Sequence, residues 1–325
     1  MSDLPTKARV VIIGGGVVGC SVAYHLAKQG WKDVVLLERK QLTSGTTWHA
    51  AGLIGQLRSS ANMTKLARYS AELYLGLEAE TGVATGMRQV GSVSVALTDE
   101  RLEELYRNAA MARAFDVPVE ELSPAEVKER YGHINLDGVT GGVWLPTDGQ
   151  ADPANIALAL AKGARQNGAI VKERVKVTGM TKAGRRVTGV SWASDDGQQQ
   201  GHIDCDMIVN CAGMWGHEVG RMAGTNVPLH ACEHFYIVTE GIEGLSQMPV
   251  LRVPDECAYY KEDAGKILLG AFEPNAKPWA MNGIPDTFEF DQLPEDFDHF
   301  EPILENACNR MPMLAEAGIH TFFNG

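Results

Sequence analysis

The 325-residue chain lacks paired cysteine motifs, long apolar runs and basic blocks, and each absence removes a class of function. Its six cysteines, Cys20, Cys205, Cys211, Cys232, Cys257 and Cys308, form no C-x-x-C and no metal-ligand spacing. They read as small apolar side chains in a reducing compartment. No apolar stretch approaches the ~18 residues that span a bilayer, and the first residues run into a strand without a cleavable signal pattern. The expectation is a cytoplasmic protein with no membrane partner. Basic residues number 29 against 41 acids, giving a net charge of −12 with no basic patch, so no nucleic-acid partner is expected.

Glycine is abundant, at 35 residues, and its placement carries the first functional signal. The apolar run Val10 to Ile13 meets Gly14-Gly15-Gly16-Val17-Val18-Gly19, and a second apolar run, Val34 to Leu37, ends at Glu38. Strand, glycine turn, helix, strand and terminal acid, in that order, describe a site for the adenosine diphosphate half of a dinucleotide. Gly14 permits the tight turn and Gly16 lets phosphate approach the backbone amides at a helix start. Gly19 lets the helix, Val17 to Gln29, lie close to the sheet. Glu38 falls 19 residues beyond Gly19, and its carboxylate can accept hydrogen bonds from both ribose hydroxyls.

Further along, Arg39 to Ile54 reads as a polar loop over the dinucleotide, too irregular for a strand. Helices are expected over Asn62 to Glu80, Asp99 to Phe115, and from Asp152-Pro153 to Asn167. Ser123-Pro124-Ala125-Glu126 opens a short helix through an N-cap, a proline at N1 and an acid at N3. Ala169 to Thr178 reads as a strand, Arg186 to Ser191 with His202 to Asp206 as a small antiparallel meander, and Asp206 to Gly213 as a separate central parallel strand. Trp215 to Met222 is expected to be helical. Ile319 to Phe323 reads as an apolar strand with no partner after it, which points to a chain that stops inside a larger protein.

Leu42-Thr43-Ser44-Gly45-Thr46-Thr47-Trp48-His49-Ala50-Ala51-Gly52-Leu53 resembles the corresponding loop of the dimethylglycine and sarcosine dehydrogenases, within the glycine-oxidase-like FAD-dependent amine oxidoreductases. The resemblance extends through Gly141 to Asp152 and Asn210 to Gly216 and covers essentially the whole chain. It implies an α/β fold: a discontinuous Rossmann-like FAD-binding domain, 1–82 and 139–226, with an interleaved, mainly antiparallel-sheet α+β substrate domain, 83–138 and 227–325. It also implies FAD as cofactor, linked covalently through His49. The expected cofactor-binding residues are Gly14, Gly16, Val17, Val18, Gly19, Glu38, Arg39, Thr46, Thr47, His49, Ala51, Gly52, Leu53, Val175, Ala212, Gly213 and Trp215. No metal is expected.

Members of this family oxidise an N-methyl group of sarcosine or dimethylglycine, passing a hydride equivalent to the flavin and leaving an iminium. Hydrolysis then gives formaldehyde, or tetrahydrofolate traps the cation in a separate C-terminal domain, which is expected to lie outside this stretch of sequence. An electron-transfer flavoprotein or oxygen is the implied acceptor. Because only a neutral amine can give up a hydride, the site needs a nearby proton acceptor or a group that tunes the proton. His234, in a segment similar to the His-x-Tyr of related dehydrogenases, is the first candidate, set against a histidine simply hydrogen-bonded in the sheet. Strand alternation lets only one of Tyr259 and Tyr260 face the pocket, and Tyr259 is preferred. Arg252 could pair with the substrate carboxylate, set against an exposed arginine after a loop. Trp48 and Trp144 either wall the ring site or belong to the core. The competing readings are an oxidase of D-amino acids or other secondary amines, and an inactive FAD-binding fragment.

Overall fold

The apolar run Val10 to Ile13 is buried on both faces, as a strand must be when helices cover both sides of a sheet. In the computed structural model, which describes residues 4–325, it belongs to the strand Lys7–Ile13 at the centre of a six-stranded sheet. The order is Ile170–Lys172, Val34–Leu37, Lys7–Ile13, Gln200–Asn210, Arg186–Ser194, Val175–Ala183. The first four strands are parallel, and Arg186–Ser194 alone runs against them, pairing antiparallel with both Gln200–Asn210 and Val175–Ala183. Helices Val17–Lys28 and Pro153–Gln166 pack against one face through Cys20, Ala23, Tyr24, Ile156, Leu160 and Ala164. The second helix starts as its sequence dictates, with Asp152 accepting the Asn155 amide at 3.0 Å and Pro153 in the first turn.

Two strand assignments change. The meander strand from His202 and the parallel strand from Asp206 are one continuous strand, Gln200–Asn210, pairing antiparallel with Arg186–Ser194 along one edge and parallel with Lys7–Ile13 along the other. Asp204 and Asp206 look like a break but only occupy the exposed positions of an alternation in which Ile203 and Cys205 are buried. The expected strand Ala169 to Thr178 is instead two, Ile170–Lys172 and Val175–Ala183, separated near Arg174 at φ +57° and sent to opposite edges of the sheet.

The second sheet has eight strands in the order Ile319–Asn324, Phe235–Thr239, Lys266–Ala271, Ala258–Asp263, Val250–Val253, Ser92–Ala96, Gly141–Leu145, Glu120–Leu122. All neighbours are antiparallel except Val250–Val253 with Ser92–Ala96. Ile319–Asn324, with no strand after it in the chain, pairs with Phe235–Thr239, a strand that precedes it by some 80 residues. Gly141–Leu145, grouped above with the nucleotide-binding part, hydrogen-bonds within this second sheet.

One face of the second sheet is the core. Ile237, Leu251, Tyr260, Leu269 and Trp144 pack there with Phe300, Ile303 and Ala307 of the helix Phe297–Arg310. The other face carries a cross-strand row set by register, in which Phe323 lies opposite Tyr236, Tyr236 opposite Gly270, Gly270 opposite Tyr259, and Tyr259 opposite Arg252. The loop 39–54 is more ordered than its composition suggests. It contains the short helix Thr46–His49 and a two-residue strand, Leu53–Ile54, paired with Gly149–Gln150.

Candidate active site

Gly14 adopts φ +111°, and a Cβ there would stand 2.3 Å from the carbonyl oxygen of Cys211, so only glycine fits the turn. Gly19 is excluded from carrying a side chain for a different reason: its Cβ would lie 1.9 Å from the Gly14 carbonyl oxygen, where helix and turn touch. Gly16 caps the helix Val17–Lys28 in extended conformation without a side-chain cap. The Thr47 hydroxyl accepts the Val17 N–H at 3.0 Å. Glu38 is buried at the end of its strand, and its two oxygens accept the Gly15 amide at 2.6 Å and the Lys40 amide at 2.8 Å. Burial pushes its carboxyl above the usual value, and these two amides pull it back. A carboxylate has about four acceptor positions, so two remain for a ribose.

These residues border a cavity of about 360 Å³, within the range of ~300–1,000 Å³ usual for ligand sites. The expected residues Gly14, Gly16, Val17, Val18, Glu38, Arg39, Thr46, Thr47, Val175, Ala212, Gly213 and Trp215 all line it. Arg39 lies over the Trp215 ring at 4.0 Å, closing one wall. Gly19 lies under the turn rather than on the wall. His49, Ala51, Gly52 and Leu53 are also off this cavity. Asp286 lines it without having been anticipated, brought in by a distant loop whose Phe288 carbonyl accepts a hydrogen bond from Arg39. Val18 is 60% exposed at the cavity although it is apolar, as suits a contact surface for a ligand.

The segment after the helix Thr46–His49 leads toward the second sheet. His49 is buried; its Nε2 donates to the Asp291 carbonyl at 2.8 Å, and its Nδ1 is buried without a hydrogen-bond partner. Burial lowers its basicity, so the ring is neutral with one nitrogen lone pair unspent. Trp48 packs edge-on against His49 and Phe323, whereas Trp144 belongs to the core. Gly52, at φ +78°, and Leu53 run beside Gly149 to Ala151, and the buried Lys261 donates to the Ala51 carbonyl at 3.1 Å.

Of the two tyrosines, Tyr260 is fully buried in the core and Tyr259 lies on the opposite face beside Arg252. Arg252 is not the exposed arginine of the bland reading. Its Nε is buried without a hydrogen-bond partner, and burial lowers the affinity of the guanidinium for its proton. The acid whose charge reaches it, Asp148, has its oxygens engaged by the Gln56 amide at 2.8 Å and the Ser92 hydroxyl at 2.7 Å. Arg58 converges on the same spot: a Cβ at Gly55 would lie 3.3 Å from Arg58 Nη1 and 3.4 Å from Arg252 Nη2. Two guanidiniums that meet near one carboxyl already engaged by other donors leave positive charge for an anion. Arg58 carries no motif of its own, and only the fold brings it to Arg252.

His234 precedes the strand Phe235–Thr239. Its Nδ1 lies 2.8 Å from Glu273 Oε2, and its backbone exchanges two hydrogen bonds of 3.1 Å with Gly325. Gly325 in turn rests on the His49 ring, its Cβ position 2.4 Å from His49 Cδ2. The structure therefore gathers His234 and His49 around one glycine, and Tyr259 and Arg252 in one row of the sheet. Phe272, tilted against Tyr259 at 5.1 Å, adds apolar surface beside that row.

Comparisons with known proteins place the chain among its relatives. Over 322 residues the chain is 42% identical to mitochondrial sarcosine dehydrogenase of Homo sapiens, spanning 97% of this chain and 34% of that protein. Over 315 residues it is 41% identical to the mitochondrial pyruvate dehydrogenase phosphatase regulatory subunit of Mus musculus, spanning 96% and 35%. The chain thus spans about a third of the length of these curated relatives. L-proline dehydrogenase from P. horikoshii superposes with a TM-score of 0.86 at 26% identity, covering 99% of this chain and 82% of that one.

The cytoplasmic expectation is corrected, because both named relatives are mitochondrial. Unpaired cysteines separate reducing from oxidising surroundings and do not separate one reducing compartment from another. Among the described residues no helix is long and apolar enough to cross a membrane. The family model for FAD dependent oxidoreductases matches residues 9–325. With a turn in which neither Gly14 nor Gly19 has room for a Cβ, a buried acid at the end of the second strand and that match across nearly its whole length, the chain belongs to the FAD dependent oxidoreductase family.

Proposed function

We propose that this chain is the oxidising part of a flavoenzyme that removes an N-methyl group from a small amino acid such as sarcosine or dimethylglycine. The observation that carries the reading is the Arg252 guanidinium beside Tyr259, half-buried and with its Nε buried and without a hydrogen-bond partner. A buried charge without a full set of partners is costly and is retained where a ligand completes it. The glycine-type carboxylate supplies the matching anion. FAD, held by Gly14, Gly16, Glu38 and the segment Thr46 to Leu53, would accept the hydride equivalent from the methyl carbon. His49 is the residue through which we propose it is tethered, since its Nδ1 is the buried atom still without a partner.

The remaining chemistry falls to side chains of this chain. Arg252, with Arg58 beside it, fixes the carboxylate and so orients the amine. Tyr259 presents a phenol without adding charge, and burial pushes that phenol up to about 12, which keeps it neutral and able to donate. His234 takes the ammonium proton so that the nitrogen lone pair can support the developing iminium.

The test is anaerobic mixing of the FAD-loaded protein with sarcosine, dimethylglycine and a D-amino acid, following flavin bleaching and formaldehyde. Bleaching and formaldehyde with the N-methylated substrates support the reading; bleaching by the D-amino acid alone overturns it. The similarity to a phosphatase regulatory subunit favours one second reading, a flavin-binding regulator without amine turnover. In that case no amine in the series bleaches the bound flavin.

A further inference from the structure

We propose that Glu273 is a positioning residue that holds His234 in the tautomer with Nδ1 protonated and Nε2 free to take the substrate's proton. This rests on the reading of His234 given above. Glu273 follows the strand Lys266–Ala271, and its side chain is fully buried, whereas His234's side chain is 60% exposed. One carboxylate oxygen accepts the Phe235 backbone amide at 2.8 Å and the other lies 2.8 Å from His234 Nδ1. A carboxylate can only accept, so Nδ1 donates and the lone pair is left on Nε2. The Phe235 amide fixes the carboxylate itself, because that amide belongs to the strand that pairs with Lys266–Ala271. The orientation of the imidazole is thus tied to sheet register and not to a mobile side chain.

The proton step balances simply. The substrate N–H bond breaks, its electron pair stays on nitrogen, and a new N–H bond forms at His234 Nε2. The imidazolium so formed faces the Glu273 carboxylate across its other nitrogen, which stabilises the charged ring and raises its affinity for the proton. Other charged groups nearby are already occupied. Glu233 accepts from the Asn324 amide at 2.9 Å, the Lys277 ammonium is paired with Asp296, and Glu256 is held by Arg310 at 2.7 Å. His299 lies beside Phe235 at 5.2 Å and borders a cavity with Glu273, and Tyr259 feels the Glu273 charge.

The experiment compares wild type, Glu273→Gln, Glu273→Asp and His234→Gln as FAD-loaded proteins. It measures flavin reduction by sarcosine against pH and the imidazole nitrogen shifts of 15N-histidine-labelled protein. In wild type the acidic limb of the reduction rate lies above 6.5, the ordinary histidine value, and His234 shows Nδ1 protonated. In Glu273→Gln the limb moves down toward 6.5, the tautomers mix, and the plateau falls about tenfold or more, toward the ~10²-fold typical of losing general-base assistance. Glu273→Asp recovers part of the shift. An unchanged tautomer in Glu273→Gln overturns the proposal. A limb that persists in His234→Gln overturns the role of His234 in the reaction, while the nitrogen shifts still decide whether Glu273 sets its tautomer.

Discussion

The ring of Tyr259 lies across Gly270 on the neighbouring strand, so that a Cβ at position 270 would stand 1.9 Å from Tyr259 Cζ. The ring cannot keep its place if anything larger than hydrogen occupies that position. Gly270→Ala should therefore displace Tyr259 and cost about 1–3 kcal/mol, the usual range for overpacking. Thermal unfolding measures the loss. Tyr259→Phe, which removes only the hydroxyl, should leave stability nearly unchanged and weaken substrate binding, seen as a higher KM. Equal unfolding temperatures for Gly270→Ala and wild type would contradict the packing argument.

The contact between Gly19 and Gly14 sets the second expectation. A methyl group at Gly19 meets backbone, which cannot swing aside, so helix and turn must separate. Gly19→Ala should lose most bound FAD while leaving the second sheet folded. The measurement is the ratio of flavin absorbance to protein absorbance after gel filtration. Gly30→Ala is the control: it has no atom within 4 Å of its Cβ position, although its φ of +86° adds local strain, and it should keep its flavin.

The glycine turn is legible in the sequence because steric exclusion leaves glycine as the sole residue that fits, and the terminal acid is legible because strand length fixes where Glu38 emerges. Alternation alone shows that Tyr259 and Tyr260 lie on opposite faces, and the register with Arg252 and Gly270 shows which of them leaves the core. Arg58, Lys261 and Asp286 are not legible in this way. Arg58 reaches Arg252 across nearly 200 residues of sequence, and Lys261 reaches Ala51 across 210, so each contact depends on sheet register and loop path rather than local pattern. The acids at 204 and 206 mislead for a related reason. In isolation they look like the end of a strand, and only the partner strands show that the ladder continues through them.

The role proposed for His49 can be tested separately from that of the glycine turn. Its Nδ1 has no partner to lose, so His49→Ala forfeits one hydrogen bond, to the Asp291 carbonyl, and the contacts of the ring. We expect the variant to fold and to bind FAD through the glycine turn. After acid precipitation the flavin should appear in the supernatant, whereas wild type keeps its colour in the pellet. Colour in both pellets would assign the link to another residue, and colour in neither would mean that no covalent link forms.

Asp148 gives a prediction with a definite sign. Burial raises its carboxyl above the ordinary 3.8, despite the Ser92 hydroxyl, the Gln56 amide and the charges of Arg252 and Arg58, all of which favour the ionised form. A folded-state value above the unfolded one means that the native state binds the proton more tightly, so stability falls as pH rises from 3.8 through the raised value. Asn at this position mimics the protonated acid, with a carbonyl for the Gln56 amide and an NH₂ that the Ser92 oxygen can accept. Asp148→Asn should match wild type at the acidic end, gain on it through that window and then hold a constant advantage in apoprotein unfolding temperature. The same variant removes the negative charge nearest Arg252 and Arg58, which should tighten binding of a substrate carboxylate while the protein itself becomes more stable. A gap that shrinks with rising pH would show that the ionised carboxylate is favoured in the fold, and that the Ser92 and Gln56 hydrogen bonds with the charges of the two guanidiniums outweigh the cost of burying it.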